Sequence, residues 1–345
     1  MQISVLDDLL DSVRRLHSMQ KLAAHRVTIW NDHTTDVDVL AHRLKDTEVL
    51  VLMRERTPIR ADLLARLPRL KMISQISVYP HIDIDACTRH GVVVCSNLYP
   101  GAPRFTTLHA TAELTWALLM SAMRRLPEQM ASLRQGRWQT SAGLNLRGRL
   151  LGVWGYGRIG QVVASYGRAF GMRVWVWGSA DSRERAVADG HQAADSVDAF
   201  FSQSDVVSLH LRLNATTRAI VTARELGLMK PSAVLVNTSR AGLIAPGALY
   251  QALVAARPGM AAIDVFDQEP VTDVHDPLLQ LPNLVATPHI GYVEMDSLED
   301  QFSEIFEQVL LWQAGQPVHV VNPQVLQQQG LQPPGQGGEN TSGVA

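Results

Sequence analysis

Three polar residues in the second half of the chain, Arg240, Glu269 and His289, have types suited to work on a carbonyl acid, although they stand 29 and 20 positions apart. Each follows an apolar run of strand character: Ala233–Asn237, Ala261–Val265 and Leu284–Ala286. In open α/β sheets, ligands sit beyond the carboxyl ends of the strands, which is the reason to group these side chains. A guanidinium clamps a carboxylate in a fixed fork and polarises a carbonyl beside it. An imidazole gives a proton to a carbonyl oxygen as it becomes an alcohol, and takes it back in reverse. A neighbouring carboxylate orients the ring and stabilises its cation. Singly, each has an ordinary explanation, as a surface arginine, a loop acid or a histidine bonded to backbone. At three successive strand ends they read as a trio.

A second constellation is Gly155-Tyr156-Gly157-Arg158-Ile159-Gly160. It directly follows the predicted strand Leu150–Trp154 and opens a predicted helix, Ile159–Phe170, with apolar residues at Ile159, Val162, Val163, Tyr166 and Phe170. Gly171 supplies the helix stop. In this setting Gly155 allows the tight turn, Gly157 removes a side chain from the path of a pyrophosphate, and Gly160 lets helix approach strand. Helix-terminal amides from about Arg158 onward then face the phosphates. The next strand, Arg173–Trp177, ends in Gly178-Ser179, where an acid would grip the ribose of NAD. Without that acid, Ser179, Ser182 and Arg183 can bind a 2′-phosphate, which favours NADP(H) over NAD(H). In the NAD(H) alternative, Asp181 reaches back to the ribose.

These residues need a frame. From residue 1 to about 110, candidate strands Gln2–Leu6, Arg26–Trp30, Glu48–Met53, Met72–Gln75 and Val92–Cys95 alternate with helical stretches such as Asp36–Leu44 and Ala61–Arg66. A long apolar helix is predicted from Thr107 to about Leu126, followed by a polar excursion, Gly136–Gly148. A second series of six strands begins at Leu150 and predicts a doubly wound parallel sheet. A helix over Asp300–Trp312 leaves this unit, and after Pro323 the Gln-, Gly- and Pro-rich composition predicts a disordered tail, 324–345.

The 345 residues suffice for two domains. A net charge of −2 gives no footprint for nucleic acid, and no apolar run approaches the ~18 residues that span a bilayer. The acidic N-terminus reads as a first strand rather than a signal peptide. Two cysteines, Cys87 and Cys95, suggest neither a disulfide framework nor a metal site. A reducing cytoplasm is expected.

The segments Leu151–Gly160, Met229-Lys230-Pro231, Val236–Arg240, Ala262–Pro270 and Thr287–Gly291 resemble, in order, the motifs of the D-isomer-specific 2-hydroxyacid dehydrogenase family, which includes glyoxylate/hydroxypyruvate reductases and phosphoglycerate dehydrogenases. The resemblance runs from about residue 45 to about 320. It implies two Rossmann-like or flavodoxin-like domains with an active-site cleft between them. These would be a discontinuous substrate-binding domain (1–110 plus 295–323) and a dinucleotide-binding domain (111–294). It implies NAD(P)-dependent interconversion of a small 2-keto acid and a D-2-hydroxy acid, with Arg240 orienting substrate, His289 as acid/base and Glu269 supporting His289. It further implies cofactor contacts from Arg158, Ile159, Thr238, Asp264 and Gly291, and a homodimer whose interface includes Gly136–Gly148. Two departures stand out: Ala241 replaces a usual glycine, and bulky Ile76-Ser77-Val78-Tyr79-Pro80-His81 replaces a glycine-rich substrate loop. Ser77 and Val78 are candidate substrate contacts, and Arg54, after another strand, a candidate partner for a second substrate anion. The alternatives are a dinucleotide-sensing corepressor-like regulator and a formate- or phosphite-oxidising enzyme on the same framework.

Overall fold

The structure is a computed structural model that describes residues 1–53, 55–76, 78–97 and 107–331. It divides into two compact units, Met1–Phe105 with Met295–Ala345, and Thr106–Glu294. Each is an α/β layer on its own parallel sheet. Among the described residues, no helix is long and apolar enough to cross a membrane.

The first unit contains β1 (Gln2–Val5), β2 (Arg26–Ile29), α1 (Val37–Leu44), β3 (Val49–Val51), α2 (Ala61–Leu64), β4 (Met72–Gln75), α3 (Ile84–Arg89) and β5 (Val93–Ser96). The sheet order is β2-β1-β3-β4-β5, all parallel, as in flavodoxin-like sheets. Every residue of β3, β4 and β5 is buried, because helices cover both faces, so these strands read as continuous apolar runs. Asp36 starts α1 by accepting the Asp38 and Val39 amides (2.8 and 3.1 Å).

The second unit holds α4 (Thr107–Arg124), α5 (Leu126–Arg134), β6 (Leu150–Trp154), α6 (Arg158–Ala169), β7 (Arg173–Trp177), α7 (Ala180–Ala188), β8 (Gln192–Ala193), α8 (Val197–Gln203), β9 (Val206–Leu209), α9 (Ala223–Leu228), β10 (Val234–Asn237), α10 (Ala248–Val254), β11 (Met260–Ile263) and β12 (Leu284–Ala286). Its order, β12-β11-β10-β9-β6-β7-β8, reverses between β6 and β9, the switch point of a doubly wound sheet. The sheet has a seventh strand beyond the six expected, since β8 is two residues long and too short to leave a period. The long apolar helix stops at Arg124: Arg125 is left-handed (φ +53°) and Pro127 lies at the start of α5. Ala112, Trp116, Leu119 and Met123 of α4 are buried against the sheet and α6.

The last helix, α11 (Met295–Gln313), returns to the first unit, where Leu298, Phe302, Ile305, Phe306 and Val309 join its core. The expected disordered tail begins too early. Pro323–Gln329 forms a 3-10 helix with Val325 and Leu326 fully buried. The Gln329 amide donates to the carbonyls of Lys71 and Gly91 (2.9 and 2.7 Å) and its oxygen accepts from Trp312 Nε1. Average composition hid two apolar anchors and a glutamine with specific partners. Residues 332–345 lie outside the described residues.

Candidate active site

The glycine turn lies at the carboxyl end of β6, beside the switch point. Gly155 has φ +100°, and a Cβ there would meet the His210 carbonyl at 2.7 Å. A Cβ on Gly160 would stand 2.0 Å from the Gly155 carbonyl oxygen, so only glycine lets α6 close on the turn. At Gly157 a Cβ would meet nothing within 4 Å. That open space faces the start of α6, which no side chain caps, and its free amides suit the phosphates of a dinucleotide. Arg158 is exposed, Ile159 half-buried and Gly160 buried. Tyr156 turns inward, its hydroxyl donating to Asp189 (2.8 Å).

Beyond β7, Gly178 precedes Ser179, whose hydroxyl oxygen accepts the Ser182 amide and so caps α7 (3.2 Å). The Arg183 guanidinium lies 5.0 Å above the Trp177 ring. Asp181 sits in the first turn of α7, paired with Arg185 at 3.1 Å. Trp177 is thus half-buried beneath an arginine, while Val174 and Val176 of the same strand are core.

Glu269 and His289 meet. Glu269 Oε2 and His289 Nδ1 are 2.5 Å apart, and Glu269 Oε1 accepts the Phe266 amide at 2.9 Å. Burial pushes the Glu269 carboxyl up. The His289 hydrogen bond, the Phe266 amide and the charges of His289 and Arg240 outweigh it, holding Glu269 below the usual carboxylate range. An ionised Glu269 accepts, so Nδ1 carries the proton and Nε2 has no partner among the described residues. The ring also meets Tyr292 edge-on, 5.8 Å between centroids. Arg240 is half-buried, Nη1 donating to the Ser239 carbonyl (2.7 Å), while the Asn237 amide holds the Arg240 carbonyl (2.9 Å).

The position of His289 depends on Asp264. His289 has φ +54°, a left-handed conformation uncommon outside glycine. The segment around it is held by the fully buried Asp264 carboxylate, which accepts from Thr287 Oγ1 (2.6 Å), the Ile290 amide (2.8 Å) and the Gly291 amide (2.8 Å). Burial nevertheless raises the Asp264 pKa, only partly opposed by these donors and by the charge of His289. A Cβ on Gly291 would come within 3.2 Å of Asp264 Oδ2. Thr238 is buried and its hydroxyl pairs with Thr115 (2.7 Å). Both Asp264 and Thr238 were expected to face a cofactor, and both spend side-chain atoms on neighbouring protein groups. Sequence reading missed Asn237, Thr287, Thr115 and Thr111, the last donating to the Gly291 carbonyl at 2.8 Å. Their one signal was polarity: two threonines four residues apart in a mostly apolar helix, and two polar residues at strand ends.

Of the proposed substrate contacts, Arg54 and Ser77 lie outside the described residues. Val78 belongs to the first unit, is half-buried and accepts a hydrogen bond from Gln75 Nε2 at its carbonyl (3.3 Å).

A 3-2-1-4-5-6 strand order extended by a seventh strand, a glycine turn beside its switch point and an acid–imidazole pair at neighbouring strand ends define a nicotinamide dinucleotide-binding oxidoreductase unit. The chain belongs to the D-isomer specific 2-hydroxyacid dehydrogenase family, whose NAD binding domain matches residues 116–291. It is 32% identical over 314 residues to the glyoxylate reductase of Thermococcus litoralis, covering 88% of this chain and 92% of that one. It is 37% identical over 255 residues to the D-3-phosphoglycerate dehydrogenase of Methanocaldococcus jannaschii, covering 73% of this chain but only 47% of that relative. Among solved structures, the phosphoglycerate oxidoreductase of Vibrio cholerae superposes with a TM-score of 0.85 at 46% identity, covering 91% of this chain and 99% of that one.

Proposed function

We propose that the protein interconverts a small 2-keto acid and a D-2-hydroxy acid, with Arg240 orienting the substrate carboxylate, His289 exchanging the proton and Glu269 supporting His289. The observation that carries this reading is the Glu269–His289 contact of 2.5 Å, in the unit that also holds the glycine turn. The chemistry a reduced nicotinamide would supply, held at that turn, is hydride donation. His289 Nε2, protonated, donates to the carbonyl oxygen as it gains charge. Glu269 stabilises the imidazolium during the reverse transfer. Asp264 keeps the histidine turn in place throughout. His289→Asn lowers turnover by orders of magnitude and spares dinucleotide binding; near-normal turnover on glyoxylate and hydroxypyruvate would overturn the assignment. Formate oxidation without reduction of any 2-keto acid would favour the formate-type alternative, and partner binding that responds to the dinucleotide without turnover the regulator.

NADP(H) is the proposed cofactor. What supports this reading is that Asp181 pairs with Arg185 within α7, and that Ser179, Ser182 and Arg183, which follow the end of β7, could give a 2′-phosphate hydrogen bonds and charge. Asp264, Thr238 and Gly291 support the site from behind. Leu126, Met130, Leu133, Trp138 and Leu144, all between residues 126 and 144, are large exposed apolar side chains of the sort a second copy covers, which supports a homodimer. Trp138→Asp is expected to shift the sedimentation coefficient toward the monomer; an unchanged coefficient removes this face from the interface.

A further inference from the structure

Helix α4 packs on β10, β11 and β12, and two of its hydroxyls, one helical turn apart, reach the loops after β12 and β10. Thr111 Oγ1 donates to the Gly291 carbonyl (2.8 Å). Thr115 Oγ1 donates to the Thr111 carbonyl (2.8 Å), which uses its single hydrogen, so the Thr238 hydroxyl donates to Thr115 Oγ1 (2.7 Å). Thr111 is therefore tied through Thr115 to the end of β10 and directly to the histidine turn. Asp264 holds the Gly291 amide and Thr111 holds the Gly291 carbonyl. That carbonyl and the Tyr292 amide belong to one rigid peptide plane. A glycine by itself leaves the plane freer to turn than any other residue would, because it lacks a Cβ. The plane sets where the buried Tyr292 stands, and the Tyr292 ring meets the His289 imidazole edge-on, 5.8 Å between centroids. The imidazole is thus bracketed by Glu269 at Nδ1 and by Tyr292 at its edge.

We propose that Thr111 is a positioning residue for the dehydrogenase reaction. Its hydroxyl fixes the peptide between Gly291 and Tyr292, and through Tyr292 the ring of His289. The inference rests on the role given to His289 above. It adds to the Asp264 clamp a second one that comes from α4 rather than from a strand end.

The test compares Thr111→Val, which keeps the branched shape and removes the hydroxyl, with Thr111→Ser, which keeps the hydroxyl. Steady-state kinetics on glyoxylate and hydroxypyruvate are expected to show kcat at least tenfold lower in the valine variant, with KM within about threefold of wild type, the pattern of an interaction lost in the transition state. The serine variant is expected to stay within about threefold of wild type in both constants. Long-range proton–nitrogen spectra of the protein labelled with 15N-histidine report which ring nitrogen of His289 carries the proton, its resonances being those that His289→Asn removes. With Thr111→Val the two His289 nitrogen resonances are expected to move toward each other as the tautomers mix, and with Thr111→Ser to stay in place. Should the valine variant lack a melting transition, Thr111→Ala, with its higher helix propensity, carries the test. If the wild-type protein reduces no 2-keto acid, the dehydrogenase reading fails by itself and the His289 spectra alone judge Thr111. Wild-type kcat in the folded valine or alanine variant, equal losses in the valine and serine variants, or His289 resonances unmoved by loss of the hydroxyl overturns the proposal.

Discussion

Replacing Asp264 with alanine should cost more stability than any other single change near the trio, and should disable the site without touching His289. The carboxylate is fully buried and accepts three hydrogen bonds, from Thr287 Oγ1 and from the Ile290 and Gly291 amides. Alanine leaves those donors without their acceptor. A stranded buried donor costs about 1–3 kcal/mol. Thr287 can rotate its hydroxyl to another acceptor and water can reach the half-buried Ile290, so a total of about 3–5 kcal/mol follows rather than the full sum. The same loss frees His289 from its left-handed backbone, so turnover falls at least a hundredfold even where the protein remains folded. Urea unfolding followed by tryptophan fluorescence measures the first effect, and steady-state kinetics well below the unfolding midpoint the second. An unfolding free energy within about 0.5 kcal/mol of wild type, a change ordinary for a surface residue, would refute the clamp. So would wild-type turnover in the folded variant.

The two inner glycines should separate folding from binding. Gly160→Ala, whose Cβ would sit 2.0 Å from a backbone oxygen, destabilises by about 3 kcal/mol or more, whereas Gly157→Ala, facing open space, changes stability by less than about 1 kcal/mol. Gly157→Ala should still weaken dinucleotide binding at least tenfold, and melting curves with and without dinucleotide check both. Arg183→Ala should lower kcat/KM with NADPH at least tenfold while leaving NADH within about threefold, since the guanidinium offers a 2′-phosphate a charged hydrogen bond; equal losses with both cofactors would remove Arg183 from the discrimination. Burial holds the His210 imidazole neutral, its pKa lowered from 6.5 to about 4. Between these values the unfolded chain carries the extra proton, so stability falls with falling pH, by about 2 kcal/mol at pH 5 relative to pH 7.5. His210→Asn should flatten that dependence in urea titrations at the two pH values; an unchanged slope would show that His210 is not its source.

Local features were legible. A strand, three spaced glycines and an amphipathic helix identify the turn because its geometry is decided within eleven residues, Leu150–Gly160, and each glycine answers a different steric demand. The apolar runs marked eleven strands within a residue or two at either end, since parallel strands buried on both faces are continuous apolar segments. Features that depend on a distant partner were not legible. The anchors Val325 and Leu326 are lost in a Gln-rich average, and Arg125 breaks a helix whose apolar pattern continues past it.

The sequence by itself determined that Arg240, Glu269 and His289 end successive strands, because strand ends follow from local patterning. Only the tertiary structure decided that Glu269 and His289 touch and that Asp264 holds the histidine turn. The Glu269 and Asp264 contacts join residues 20 to 27 positions apart, from the loops after β11 and β12. Their distances are set by the parallel register that brings Ile263 beside Ala286. Register is a property of the assembled sheet, so no window of sequence contains it.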